Sequence, residues 1–427
     1  MVVNKILIIF LIFVKIFFTK FAYSYEIYDY ETEFFLDKLI KKVINVNNFN
    51  KKINIKIIKD NNPNAFVIAK NQLIISSGLI EQCPDYVCLL GVLAHEIGHL
   101  ENLHLEKRKD SIEYLSNFKL VSDLALISGL LITGNPEVLG AAIANQASIN
   151  SYYLGFTKDQ EREADYYSIR TLNRLDLPSE SMNKFLKILE KNLQNKGLDE
   201  HYQKFSTHPI FKERFEIIEN NKKLITDKYS LELNDEFNFI KAKFLAHNNN
   251  FNLSNLQDHH IIYYESIKES KIGNLPQSLK KINFLIKKFP RNIYLLETKA
   301  DILRSHGFAN EAIKFYNIVF KDNPSNKYVK LRIFVDTNSS NLNHKSKKDF
   351  FYDNLVILKF FPYNKYVINK FKQLSSDLQK NDWTDFFNLI NKSNSISKEI
   401  YFEELDILYQ KTNNIKLKET IRIFKKI

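Results

Sequence analysis

Turn-forming residues are scarce in this 427-residue chain, which has ten glycines and nine prolines. That poverty argues against a sandwich or barrel of many short strands and for a mainly helical protein. There are only two cysteines, Cys83 and Cys88, too few to bind a metal on their own. In an oxidising compartment they could close a small disulfide loop. Cys88, inside a helical stretch, reads equally well as a small buried hydrophobe. Nucleic-acid motifs and arginine-rich tracts are missing too. The net charge of +12 is spread along the chain, so nucleic acid is not an expected partner. Phosphate or anionic lipid headgroups could still be attracted, which leaves room for peripheral membrane contact.

Long apolar runs are confined to two places. The first 24 residues carry Lys5, the apolar run Ile6 to Val14, and small residues around Ala22-Tyr23-Ser24. This is the anatomy of a secretory signal peptide, with a retained inner-membrane anchor facing the periplasm as the alternative. Residues 118–149 are the other apolar stretch. Each half is shorter than the ~20 residues of a spanning helix, so it reads as a buried helical hairpin or a membrane-touching lid.

At 44% hydrophobic and 26% charged the chain is foldable, and its length suggests two or three domains. Helical periodicity over 30–47 is followed by an alternating run at 53–58, then by NAFVIA (64–69) and QLIIS (72–76), which suggest a hairpin. Pro84-Asp85 opens a helix predicted to run unbroken through GVLAHEIGHLENLH (91–104). Thr157 and Gln160 form a capping box ahead of EREAD (161–165). Beyond about 225 the pattern is helix after helix. Gly273 and Gly307, and likewise Pro290 and Pro324, recur with one 34-residue spacing. Ala300, Ala312 and Tyr316 stand where a tetratricopeptide repeat needs them, with Ser278 in place of the packing alanine in the earlier copy. The expected domains are 1–24, 25–225 and a helical 226–427, with repeats clearest at 259–326.

Chemistry concentrates in 91–214. On a helix His95 and His99 share a face and can offer two imidazoles to one metal ion. Zinc held by three protein ligands keeps a fourth position for water and lowers its pKa to about 7. Glu96, beside the first histidine, is placed to act as the base. Glu161 is the candidate third ligand, and Asp165, one turn on, can accept a hydrogen bond from a ligand imidazole. His208, in a Thr-His-Pro turn, is a candidate donor to the oxyanion or a fourth ligand at rest. His104 is expected at the surface, one turn past the ligands.

GVLAHEIGHLENLH, QEREAD (160–165) and STHPIFKER (206–214), in that order, resemble the zinc metallopeptidases of the HtpX and CAAX prenyl protease family. Within it they are most similar to the periplasmic BepA-type branch, which adds C-terminal tetratricopeptide repeats. The resemblance implies an α+β, mostly helical fold: a zincin-type (gluzincin) domain with a small sheet, then an all-α repeat solenoid. It implies zinc on His95, His99 and Glu161, Glu96 as base, His208 at the active site, and Arg214 as a substrate-contacting or packing residue. Peptide-bond hydrolysis in the periplasm follows, with polypeptide substrates and the outer-membrane assembly machinery as partner of the repeats. QLIIS is the candidate strand edge for an extended substrate. A different class stays open: a chaperone or adaptor working through its repeat groove, with a latent zinc site.

Overall fold

The computed structural model describes residues 26–68, 71–104, 156–195, 212–223, 228–250 and 252–426. The N-terminal 24 residues, the apolar stretch 118–149 and the Thr-His-Pro turn with His208 lie outside them. The described chain is mostly helical with one small mixed sheet, and it divides into two compact units, residues 1–264 and 265–427.

The first unit opens with β1 (Glu26–Ile27) and α1 (Tyr30–Asn47). Asp29 caps α1 by accepting from Thr32 N–H, and Asn48 ends it in the left-handed conformation. Then come β2 (Asn54–Ile58), β3 (Ala65–Ile68) and β4 (Gln72–Ser76). Strand order is β1-β2-β4-β3. β3 and β4 pair antiparallel with Phe66 opposite Ile74, while β2 and β4 run parallel. Asn71, with φ 53°, supplies a left-handed residue where the chain has no glycine.

This order corrects one expectation: QLIIS is β4, an interior strand, and among the described residues the sheet edges are β1 and β3. The parallel β2–β4 pairing, a contact between segments distant in sequence, is what puts it inside.

The chain continues into α2 (Ser77–Gln82) and α3 (Tyr86–Glu101), each with a side-chain cap at its start, Ser76 and Asp85. Cys83 and Cys88, both fully buried, are joined as a disulfide between these two helices with Cα atoms 5.7 Å apart. α3 is apolar nearly all round and only Glu101 is exposed, so it forms the centre of the core. Around it pack α1, β3, α4 (Lys158–Arg174) and α5 (Glu180–Asn195). The helix α6 (Lys212–Asn221) lies on α4, and α7 (Leu231–His247) packs on α1, α2 and α3. The compact unit thus runs past residue 225, because α7 buries Phe237, Ile240 and Phe244 in the same core.

The helix α8 (Asp258–Lys271) spans the division between the units. In the second unit α9 (Leu275–Lys288), α10 (Ile293–Ser305), α11 (Ala309–Asp322) and α12 (Lys327–Asp336) each pack on the next. Gly273 and Gly307 turn the chain with φ of 88° and 85°, and each faces open space. Backbone conformation, not packing, calls for glycine at both. Ser278 and Ala312 are both fully buried. The Ser278 hydroxyl donates to the Ser266 carbonyl at 2.7 Å, which makes a buried polar side chain tolerable there. The unit continues through α13 (His344–Asn354), α14 (Ile357–Phe360), α15 (Lys365–Asp377), α16 (Asn381–Lys392), α17 (Lys398–Lys411) and α18 (Ile415–Phe424). No helix among the described residues is long and apolar enough to cross a membrane.

Candidate metal centre

The site is built where α3 and α4 touch most closely. Gly98 makes the approach possible: a Cβ there would lie 3.0 Å from Tyr167 Cβ and 3.3 Å from Ala164 Cα. Nearby, the Ser168 hydroxyl donates to the Gly91 carbonyl at 2.7 Å and ties the two helices together. The capping box, with Thr157 and Gln160 each bonded to the other's backbone, fixes the start of α4, so that its first turn delivers Glu161.

Three side chains then converge. His95 Nε2 and His99 Nε2 are 3.1 Å apart, and Glu161 Oε2 and Oε1 lie 3.4 and 3.5 Å from them. One ligand atom from each fits within 4.8 Å of the others, and all three residues are buried. Two ring nitrogens facing each other at this distance, with a carboxylate alongside, are donors arranged around one point. Imidazole and carboxylate together suit a divalent zinc ion, so the residues fit the metal. Glu96 is buried beside them at 2% exposure.

The surroundings fix how the rings are held. His95 Nδ1 lies 2.9 Å from Asp165 Oδ1. Burial alone would push the His95 pKa down, but Asp165 and Glu161 against its ring outweigh this and hold it above the usual value. Arg214, on α6, is also buried. It grips Asp165 through Nε and Nη2, at 2.7 and 2.8 Å, and reaches Glu161 through Nη1 at 2.9 Å. Burial opposes the charge on Asp165 too, yet Arg214 and His95 bring its pKa below the ordinary carboxylate value. The guanidinium itself stays charged, because Asp165 and Glu161 more than offset its desolvation.

One residue overturns its expectation. His104 is not at the surface but fully buried, with Nδ1 2.9 Å from His99 Nδ1 and Nε2 2.9 Å from Glu163 Oε2. The predicted helix does not run unbroken to 104. α3 ends at Glu101, and Leu103 takes a left-handed φ of 56°, which swings His104 back beneath His99. The sequence reading missed Glu163 altogether, though it sits between the two acids singled out on α4.

A second cluster lies on α7 and α8, where His259 Nε2 and His260 Nε2 are 2.8 and 3.0 Å from Asp235 Oδ1. Here the Gln257 backbone N–H donates to His260 Nδ1 at 3.2 Å. The His260 Nδ1 lone pair is thus already taken, and His259 Nε2 is hydrogen-bonded to Asp235 at 2.8 Å.

The family model of peptidase family M48 matches residues 32–222, which contain every residue of this site. Residues 32–222 are a peptidase family M48 domain. The chain is also similar to named proteins. A beta-barrel assembly-enhancing protease of Escherichia coli (strain K12) is 24% identical over 272 residues, 60% of this chain and 55% of that protein. Its namesake in Yersinia pestis is 26% identical over 169 residues, 39% of this chain and 34% of that one. The mitochondrial metalloendopeptidase OMA1 of Schizosaccharomyces pombe is 24% identical over 144 residues, 34% of this chain and 40% of its own length. The chain thus spans about half or less of each of these relatives.

Proposed function

We propose that the chain is an exported zinc metalloendopeptidase that hydrolyses peptide bonds in misfolded or stalled outer-membrane proteins in the periplasm. The observation that carries this reading is the convergence of His95, His99 and Glu161 on one point, with Glu96 buried beside it. Zinc on these three residues would supply a Lewis acid that polarises the scissile carbonyl and makes water acidic enough to attack near neutral pH. Glu96 takes the proton from the attacking water and delivers it to the departing amine as the C–N bond breaks. Asp165 holds the His95 ring through Nδ1, which leaves Nε2 for the metal. Arg214 keeps Asp165 ionised in a buried setting and pairs with Glu161. His208 is assigned to the oxyanion. Strand β3, at one sheet edge and packed on α3, is the natural place for an extended substrate to add a strand.

We assign the second unit to docking. The matched turns at Gly273 and Gly307 and the run of helices packed each on the next support tetratricopeptide-like repeats offering a groove to a protein partner. Two of the relatives carry the name beta-barrel assembly-enhancing protease, which favours the outer-membrane assembly machinery as that partner.

The test is direct. Purified protein should hold about one zinc per chain and degrade an unfolded substrate. Glu96→Gln should keep the zinc and lose activity by ~100-fold or more. Equal turnover by the two proteins rejects the mechanism, and absence of zinc from both rejects the site.

A further inference from the structure

His104 and Glu163 take no part in the chemistry above, yet both are aimed at it. Glu163 is half-exposed, with its carboxylate on His104 Nε2. A carboxylate only accepts, so the proton of neutral His104 belongs on Nε2. Its Nδ1 is then an acceptor, 2.9 Å from His99 Nδ1. His99 must donate there, and the lone pair of its ring is left on Nε2, the atom that faces His95 and Glu161. The opposite arrangement would set His104 Nε2 against the carboxylate lone pair to lone pair, and would place a hydrogen on His99 Nε2 where the metal belongs. Phe156 stacks on the His99 ring with centroids 3.7 Å apart, so the ring is clamped on one face while His104 fixes its rotation from the edge.

We infer that His104, anchored by Glu163, is the positioning residue of His99: it selects the tautomer and ring orientation that make His99 a metal ligand. The inference rests on the proposed zinc site and assigns to His99 what Asp165 does for His95. The two ligand histidines are then held by different chemistries, one by a carboxylate directly, the other by a carboxylate acting through a second imidazole.

Cobalt(II) added to the metal-free protein is the probe, followed by its visible absorption and by competition with a chelator. His104→Leu should weaken cobalt binding ten- to a hundred-fold and shift the ligand-field bands. His104→Asn places an amide oxygen where Nδ1 stood and should recover most of the affinity. Glu163→Gln keeps an acceptor and should stay near wild type, whereas Glu163→Leu removes it and should weaken binding several-fold. Circular dichroism of the metal-free variants guards against misfolding, and the Glu163 pair alters only a half-exposed side chain. Unchanged cobalt affinity in His104→Leu, or no recovery in His104→Asn, overturns the inference. Equal losses in the two Glu163 variants would mean a simple charge effect and remove Glu163 from it. If wild type itself binds neither cobalt nor zinc, the metal site fails first and this inference with it.

Discussion

At the scale of single residues, one buried cation serves two buried carboxylates. Arg214 is shared by Asp165 and Glu161. Replacing it with methionine would fill its volume but leave two carboxylates facing each other out of water. In metal-free protein Arg214→Met should cost about 3–5 kcal/mol in urea denaturation. Zinc should reduce the loss, since a cation again faces Glu161; an equal loss with and without zinc would contradict that account. Lys241 is the opposite case, a buried ammonium that donates to the Cys83 carbonyl. Burial pushes its pKa down to about 8 from 10.5. Between these values the unfolded chain binds the proton and the folded chain has released it, so stability rises with pH through this window. The gain attributable to Lys241 approaches about 3 kcal/mol. Lys241→Met should lose that slope between pH 8 and 10; identical pH profiles for the two proteins would refute it. Neither role could be read from sequence, because each partner is supplied by another element. His104 shows the same blindness: helical periodicity assumes the helix continues, and one left-handed residue, Leu103, undoes the assumption.

At the scale of elements, the spacing of His95 and His99 and the capping box of α4 were legible because both are local. A four-residue interval on a helix and a Thr with Gln three residues later determine geometry by themselves. The order of the sheet was not legible. Alternation marks a strand but says nothing of its neighbours, so β4 was read as an edge when β2 covers it. The contact of α3 with α4 is also non-local, yet it carries a testable signature in two glycines. A methyl at Gly98 meets the Tyr167 side chain and the Ala164 backbone on the facing helix, while one at Gly91 meets the thioether of Met182, a side chain that can move. Gly98→Ala should therefore destabilise by about 1–3 kcal/mol and push Glu161 away from the two histidines. Gly91→Ala should cost clearly less. Thermal melts of both variants with zinc titrations decide the matter, and equal penalties would mean that the α3–α4 approach is not tight at Gly98.

At the scale of the whole molecule, the chain divides into two compact units. Every proposed metal ligand lies in the first. The chain's single tryptophan, Trp383, lies in the second, buried at 1% exposure against Phe351 and Phe387. A ligand that binds only the folded form stabilises it by RT ln(1 + [L]/Kd), about 4 kcal/mol at a thousandfold excess over Kd. For a unit of this size that is a rise in melting temperature of roughly 10 °C. The rise should appear in circular dichroism, which reports helices throughout, and in hydrogen exchange of α3 and α4. Tryptophan fluorescence, which reports only the surroundings of α16, should melt at the same temperature with or without zinc. Glu96→Gln, which keeps the ligands, should show the same shift as wild type, and His99→Leu should show none. A tryptophan transition that follows zinc would mean that the second unit is stabilised from the metal site. A shift that survives His99→Leu would place the cation elsewhere in the chain.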